Sequence, residues 1–398
     1  MNTKPNISFE NTEIAFASRT DVELRKMYLF FAVMDKNWAV SIGTNLSAIA
    51  FKLRLPVKGI MKKTIFGHFC GGESVEDCAK SIKELQEFGI GTILDYSVEG
   101  TGTEKSYDFT RDEILRTIKR SAGASEIPFS VFKVTGLGSY KIMTKVQAGE
   151  KLSAKEQEAF ERLKDRVDTL CKAAYENDVR IMIDGEESWF QDVIDDMAYE
   201  AMEKYNKEKA IVYNTFQMYR KDMLGLLIKA HEEAELKGYH VGAKLVRGAY
   251  MEKERDRAED RGYPSPIHDT KEDTDNAYND ALKFSMENKD RIYLVSGSHN
   301  ELSNIILTEL MNLHGVEAND KRVFFSQLYG MSDNISYNLA FAGYNVAKYV
   351  PYGPVESVMP YLYRRASENT SVAGQSSREF ELIKNEMARR ASLKKTII

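Results

Sequence analysis

The sequence predicts an α/β protein built on a (β/α)8 barrel of TIM type, with a helical arm before the barrel and a helix after it. Two observations carry this. From Gly89 onward, short β-branched and aromatic runs alternate with amphipathic, helix-compatible segments, and there are eight such runs. None of them leads into a Gly-x-Gly-x-x-Gly turn, which an open dinucleotide-binding sheet would use; the glycine pair Gly136 and Gly138 is the nearest approach. The expected division is residues 1–88 as the arm, 89–369 as the barrel and 370–398 as a basic helix.

In the arm, Asp21 is placed to cap a helix running through Leu24, Tyr28, Phe31 and Val33. A second apolar segment runs from Ile42 to Leu55 and stops at Pro56. Ser74 is the expected cap of a third helix that ends at Phe88, with Gly89 beyond it. The eight strands are expected at 91–95, 129–134, 179–184, 210–214, 241–246, 291–296, 322–326 and 345–350. Between the second and third, Gly138 to Lys151 reads as an inserted loop, followed by a charged helix from about Ser153 to Asn177. After the eighth, the turn Pro351-Tyr-Gly-Pro354 opens a helix to about Glu368, and a basic helix spans Arg378 to Lys395.

Composition narrows the function. A net charge of −5 gives no global basic field, so nucleic acid is not an expected partner. Three cysteines without metal spacing read as buried thiols of a reducing compartment. The first residues lack an apolar signal core, and the best apolar stretch, Met27 to Met34, is too short to span a bilayer. The expected location is therefore cytoplasmic. The six histidines are scattered, with neither H-x-H nor H-E-x-x-H, so no metal centre is expected.

In a (β/α)8 barrel the chemistry sits at the C-terminal ends of the strands. Those ends carry Asp95 and Glu99, Lys133, Asp184 and Glu186, Asn214, Lys244 to Arg247, Ser298 and His299, Gln327 and Leu328, and Tyr349. Both signs of charge are present. Lys133, Arg364 and Arg365 suit a small carboxylate, the arginine fork matching it with two bonds. Glu99, Asp184 and Glu368 can pair with these cations, and Tyr349, Tyr361 and Leu328 supply apolar walls. A small amino or imino acid fits this set better than a sugar: the adjacent Glu186 and Glu187 come with a basic cluster, and Trp189 is the sole tryptophan near a strand end. No acid–base or nucleophilic triad is visible, which fits a reaction whose hard step belongs to a bound cofactor.

The segment Tyr349-Val-Pro-Tyr-Gly-Pro354, with Tyr361-Leu-Tyr-Arg-Arg-Ala-Ser-Glu-Asn369 after it, closely resembles the C-terminal signature of the proline dehydrogenases. These are flavin enzymes that oxidise proline. The resemblance spans about 89–369 and includes Ser130-Val-Phe-Lys-Val-Thr135, Met182-Ile-Asp-Gly-Glu-Glu187, Lys244-Leu-Val-Arg-Gly-Ala-Tyr250 and Gly297-Ser-His-Asn300. It implies FAD held by Asn214, Lys244, Val246, Arg247, Gly248, Ala249, Tyr250, Lys271, Ser298, His299 and Gln327. Lys244 stands where many bacterial members have Arg, and Asn214 where Gln is frequent. It implies substrate contacts from Glu99, Lys133, Asp184, Leu245, Leu328, Tyr349, Tyr361, Arg364, Arg365 and Glu368, with Lys133, Tyr349, Arg364 and Arg365 closest to the chemistry. It further implies an eighth helix set over the barrel mouth, so that the arginine pair reaches the site. The implied reaction is hydride transfer from L-proline to flavin N5, giving Δ1-pyrroline-5-carboxylate, with electrons passed to a quinone. Because the amine must be neutral, the rate should rise with pH through the bound amine's pKa. Peripheral contact with the inner face of a membrane, through the basic last helix, is a further expectation, with that helix docked on the barrel as its alternative. No aldehyde dehydrogenase half follows residue 398, so a monofunctional form is expected. The rival substrate is hydroxyproline, whose hydroxyl Tyr349 should crowd. The rival class is an amino-acid-binding barrel without redox activity.

Overall fold

The computed structural model describes residues 7–34, 57–98, 102–371 and 375–396. Eight strands close into a barrel in chain order: β1 (Ile90–Tyr96), β2 (Phe129–Phe132), β3 (Arg180–Ile183), β4 (Val212–Gln217), β5 (Val241–Val246), β6 (Ile292–Gly297), β7 (Val323–Leu328) and β8 (Val346–Tyr352). The pairing is parallel, with Ser130 opposite Ile181, Asn214 opposite Ala243 and Lys244 opposite Val295. Parallel strands buried on both faces need near-continuous apolar runs, as in the Ile181-Met-Ile183 stretch.

Each strand falls where the sequence places it, with shifted ends. β4 begins at Val212 rather than at residue 210. The buried Asn206 side chain accepts from the Ile211 and Val212 N–H groups and donates to Val212 O, so it holds the chain entering the strand. Three local expectations need correction. Thr20, not Asp21, caps the helix Asp21–Met34: its Oγ accepts from Glu23 N while the Glu23 carboxylate accepts from Thr20 N, a capping box. Ser74 caps only a turn, through Asp77 N, and the helix that follows starts later, at Ala79–Gln86. The segment taken as an inserted loop contains the helix Tyr140–Gln147, which buries Met143 and bonds through Gln147 to Ser188 O and Asp192 N. The apolar segment 42–55 and the Val33 side chain lie outside the described residues.

The chain forms two compact units. One contains Gly91–Tyr96 and Gly100–Ser326; the other contains Met1–Ile90, Ser97–Glu99 and Gln327–Ile398. In the first, the Phe129, Tyr213 and Phe324 rings meet edge to face at 5.0–5.4 Å, and the Arg180 guanidinium lies over two of them. These four residues mark the inward-facing side of their strands, and with period-two alternation they assign every other position.

In the second unit the last helix (Gln375–Thr396) docks on the first two helices. Leu382 and Ile383 pack with Ala15, Phe16, Leu24, Met27 and Phe31. Part of its basic charge is taken up there: Arg378 pairs with Glu10, Arg389 with Glu13 and with Glu386 of its own helix, and Arg390 and Lys394 with Asp21. The last helix thus docks on the N-terminal arm, where the expected alternative had it on the barrel. Among the described residues no helix is long and apolar enough to cross a membrane.

Candidate active site

Two groups of sequence-predicted residues come together, one in each unit. In the unit holding β1 to β6, period-two alternation from Phe129, Arg180 and Tyr213 puts Lys133, Asp184 and Gln217 on the inward face. Gly242, whose added Cβ would strike Tyr213, puts Lys244 there too. Lys244 Nζ donates to Asp184 Oδ1 at 2.6 Å, and both side chains are nearly buried. Among the described residues no carboxylate lies within ion-pair distance of Lys133. Burial acts to discharge it, but the combined field of Tyr250, Asp95, Asp184 and Glu186 outweighs burial and holds it above its ordinary range. Lys133 is therefore a cation kept charged by diffuse surroundings, a group suited to an incoming anion.

Glu186 fixes the end of β2. Its carboxylate accepts from both the N–H and the hydroxyl of Thr135, two residues beyond Lys133, while its own backbone is held by Gln191 and Gln217. Burial pushes its carboxyl up to about 7, against the Thr135 bonds and Lys133. In the unfolded chain the value is near 4.5, so the folded state retains a proton that the unfolded state has released. The stability this group contributes is full below pH 4.5 and is lost as pH rises through about 7. Glu186→Gln should remove that loss. Urea titrations at about pH 5 and about pH 8 should show the wild type losing more stability than the variant; equal losses would mean that Glu186 stays ionised throughout.

The stretch Lys244 to Tyr250 does not line one face. Lys244 and Val246 share the inward side, whereas Leu245 falls on the helix-facing side, its carbonyl near Tyr278 OH. Asn214 also faces outward: its amide donates to Asp195 on the helix Ser188–Tyr205 and its oxygen accepts from Thr215 N. The amide on the inward side of β4 is Gln217, which sequence reasoning missed although two-residue steps from Tyr213 reach it. Arg247 Nε bonds Asp275 at 2.6 Å, its two amino groups bond Ser298 and Ser303, and its plane lies 4.5 Å from the Tyr278 ring. Asp275 also pairs with Lys271, an exposed residue at the start of its helix. Gly248 has φ +130° and lies flat on the Tyr219 ring, leaving no room for a Cβ.

In the other unit, Leu328 at the end of β7 packs with Phe66, Phe69, Met331, Tyr361 and Leu362. Tyr361 lies on the helix Val355–Ser371, which also carries Arg364, Arg365 and Glu368. The side chains of those three, like Glu99 as a whole, lie outside the described residues. Tyr349 is next to Lys348 on β8. Lys348 reaches out to Asp333, so Tyr349 faces the opposite way, and its carbonyl accepts from Tyr329 N. Gln327 faces the helix Asp333–Phe341, where Ser336 donates to its oxygen.

Comparison with known proteins settles the family. The family profile described as Proline dehydrogenase matches residues 78–378. The chain belongs to the proline dehydrogenase family. This family groups oxidoreductases acting on the CH–NH group of donors. Proline dehydrogenase 1, mitochondrial, of Arabidopsis thaliana is 33% identical over 377 residues, covering 84% of this chain and 76% of the relative. Its Dictyostelium discoideum counterpart is 30% identical over 427 residues, covering 96% and 74%. Among solved structures, proline utilization A from Bdellovibrio bacteriovorus superposes with a TM-score of 0.71 at 21% identity, a likeness of fold. That superposition covers 93% of this chain, which spans only 40% of the solved one. The matched stretch thus spans β1 to β8 and the helix Val355–Ser371.

Proposed function

We propose that this protein oxidises L-proline to Δ1-pyrroline-5-carboxylate with FAD as its bound acceptor, and that the electrons pass on to a quinone. The observation that carries this reading is the inward row of Lys133, Asp184 and Lys244 on strands that match the proline dehydrogenase profile. The donor set fits a flavin: Lys244 and Arg247 are cationic donors toward acceptor-rich rings and phosphates. Ser298, His299, Val246, Ala249 and Tyr250 are proposed to complete that site. Bound FAD supplies the two-electron acceptor.

The chain's own residues bind and orient. Lys133, held charged, takes the substrate carboxylate. Arg364 and Arg365 carry the family's carboxylate-binding motif, with Glu368 as their ion-pair partner. Leu328, Tyr349 and Tyr361 give the apolar walls that a pyrrolidine ring requires. Asp184 keeps Lys244 in place. No side chain is required to abstract a carbon-bound proton, because the hydrogen leaves as hydride once the ring amine is neutral; positioning and charge complementarity are the protein's share.

The test compares L-proline with hydroxyproline as donors to a soluble quinone analogue. Higher kcat/KM for proline supports the reading. A preference for hydroxyproline would reassign the substrate, and turnover with neither would favour a binding barrel without redox activity.

A further inference from the structure

The turn after β7, Tyr329 to Ser332, is held from four directions. Two of its residues have left-handed backbones, Gly330 at φ +77° and Ser332 at φ +51°. The second is costly for a residue with a side chain, so the turn does not hold itself. His68 Nε2 donates to Gly330 O at 2.9 Å. Lys348, buried on β8, donates to Met331 O and pairs with Asp333 at 2.8 Å. Arg19, just before the second helix, pairs with the same carboxylate at 3.3 Å. Glu379, buried on the last helix, accepts from Ser332 N. Burial would raise the Asp333 carboxyl, yet Lys348 and Arg19 outweigh it and hold it below its usual range.

These partners come from both ends of the chain. Arg19 and Glu379 belong to segments fastened to each other, since Arg390 of the last helix donates to Phe16 O and Arg19 O. The turn they grip starts directly after Leu328, and its first residue, Tyr329, is bonded to the Tyr349 carbonyl. Leu328 and Tyr349 are two of the three walls proposed above.

We propose that Arg19 and Glu379 are positioning residues for substrate binding: the terminal helices form a clasp that fixes the 329–332 turn and, through it, the Leu328 and Tyr349 walls. This rests on the reading that those two residues face the substrate. It gives the helical arm and the last helix a specific task, which barrel stability alone would not assign to them.

The experiment uses the full chain with FAD bound and the variants Arg19→Met, Arg19→Lys, Glu379→Gln and Leu328→Ala. KM and kcat for L-proline, flavin content and Tm are measured for each. A loosened wall weakens substrate and transition state alike, so KM should rise roughly tenfold in Arg19→Met and Glu379→Gln while kcat stays within about twofold. Arg19→Lys should restore most of the loss, because it keeps a cation toward Asp333. Arg19→Met leaves the Lys348–Asp333 pair intact, so it decides the matter if Glu379→Gln does not fold. A lowered Tm with unchanged KM, alongside a raised KM in Leu328→Ala, would overturn the clasp and leave the walls standing. Unchanged KM in Leu328→Ala would remove the reading beneath it, and the inference with it.

Discussion

Asp333→Ala should lower the free energy of unfolding by about 3–5 kcal/mol, the cost of removing one partner from a buried ion pair. Lys348 is the reason. Its side chain is 1% exposed, and Asp333, at 5%, is its only carboxylate partner among the described residues. Without Asp333 the ammonium keeps two carbonyl oxygens, Leu328 O and Met331 O, but loses its counter-charge. A buried ammonium without a counter-charge is costly. Arg19 suffers less, since its side chain is partly exposed. The double variant Asp333→Leu with Lys348→Met should recover much of the loss, because a hydrophobic pair of similar volume needs no desolvated charge. Urea denaturation of the single and double variants checks this. A single-variant loss below about 1 kcal/mol would show that water reaches Lys348 and that the pair is a surface contact.

Replacing Arg364 or Arg365 with Met should raise KM for L-proline about 10- to 150-fold while flavin stays bound. A charge-assisted hydrogen bond to a carboxylate is worth about 1.5–3 kcal/mol, and each 1.4 kcal/mol is a factor of ten. Proline offers one carboxylate and one amine, so little else on it can be gripped by polar contacts. The apolar ring contributes less: burying each CH2 is worth about 0.8 kcal/mol. Loss of either arginine should therefore fall mainly on KM. Lys would be a poor substitute, since its point charge cannot match both carboxylate oxygens in one plane. Steady-state kinetics at saturating acceptor measure this, and unchanged KM in both variants would remove the carboxylate assignment.

The eight strands were legible because each is a short apolar run bounded by polar turns, and burial on both faces of a parallel sheet demands that pattern. The cations and carboxylates at strand ends were legible only as a set, since any one of them suits a polar turn and it is their joint occurrence that marks a site. Which face each residue takes was harder to read. Asn214 and Gln217 are both amides on β4, and it takes the contacts of the fold, Tyr213 beside Phe129 and Asn214 bonded to Asp195, to show that Gln217 faces inward. Leu245 follows the same rule: it adjoins Lys244, so it must point the other way. A motif written as a string conceals this alternation. The helix at Tyr140–Gln147 was missed because it follows a Gly-rich start and is only eight residues long, with one fully buried side chain, Met143. The Arg19–Asp333–Lys348 pairing joins residues separated by 314 and 15 positions, and no local pattern records such a contact.

Reduction of a bound flavin by proline is expected, and the visible absorbance spectrum tests it without an added acceptor. Purified protein, reconstituted with FAD where needed, is recorded before and after anaerobic addition of L-proline. Flavin bands near their usual wavelengths should bleach when proline is added and return when a quinone is supplied. Flavin bands that persist in the presence of proline, or a protein that binds no flavin after reconstitution, would contradict this expectation.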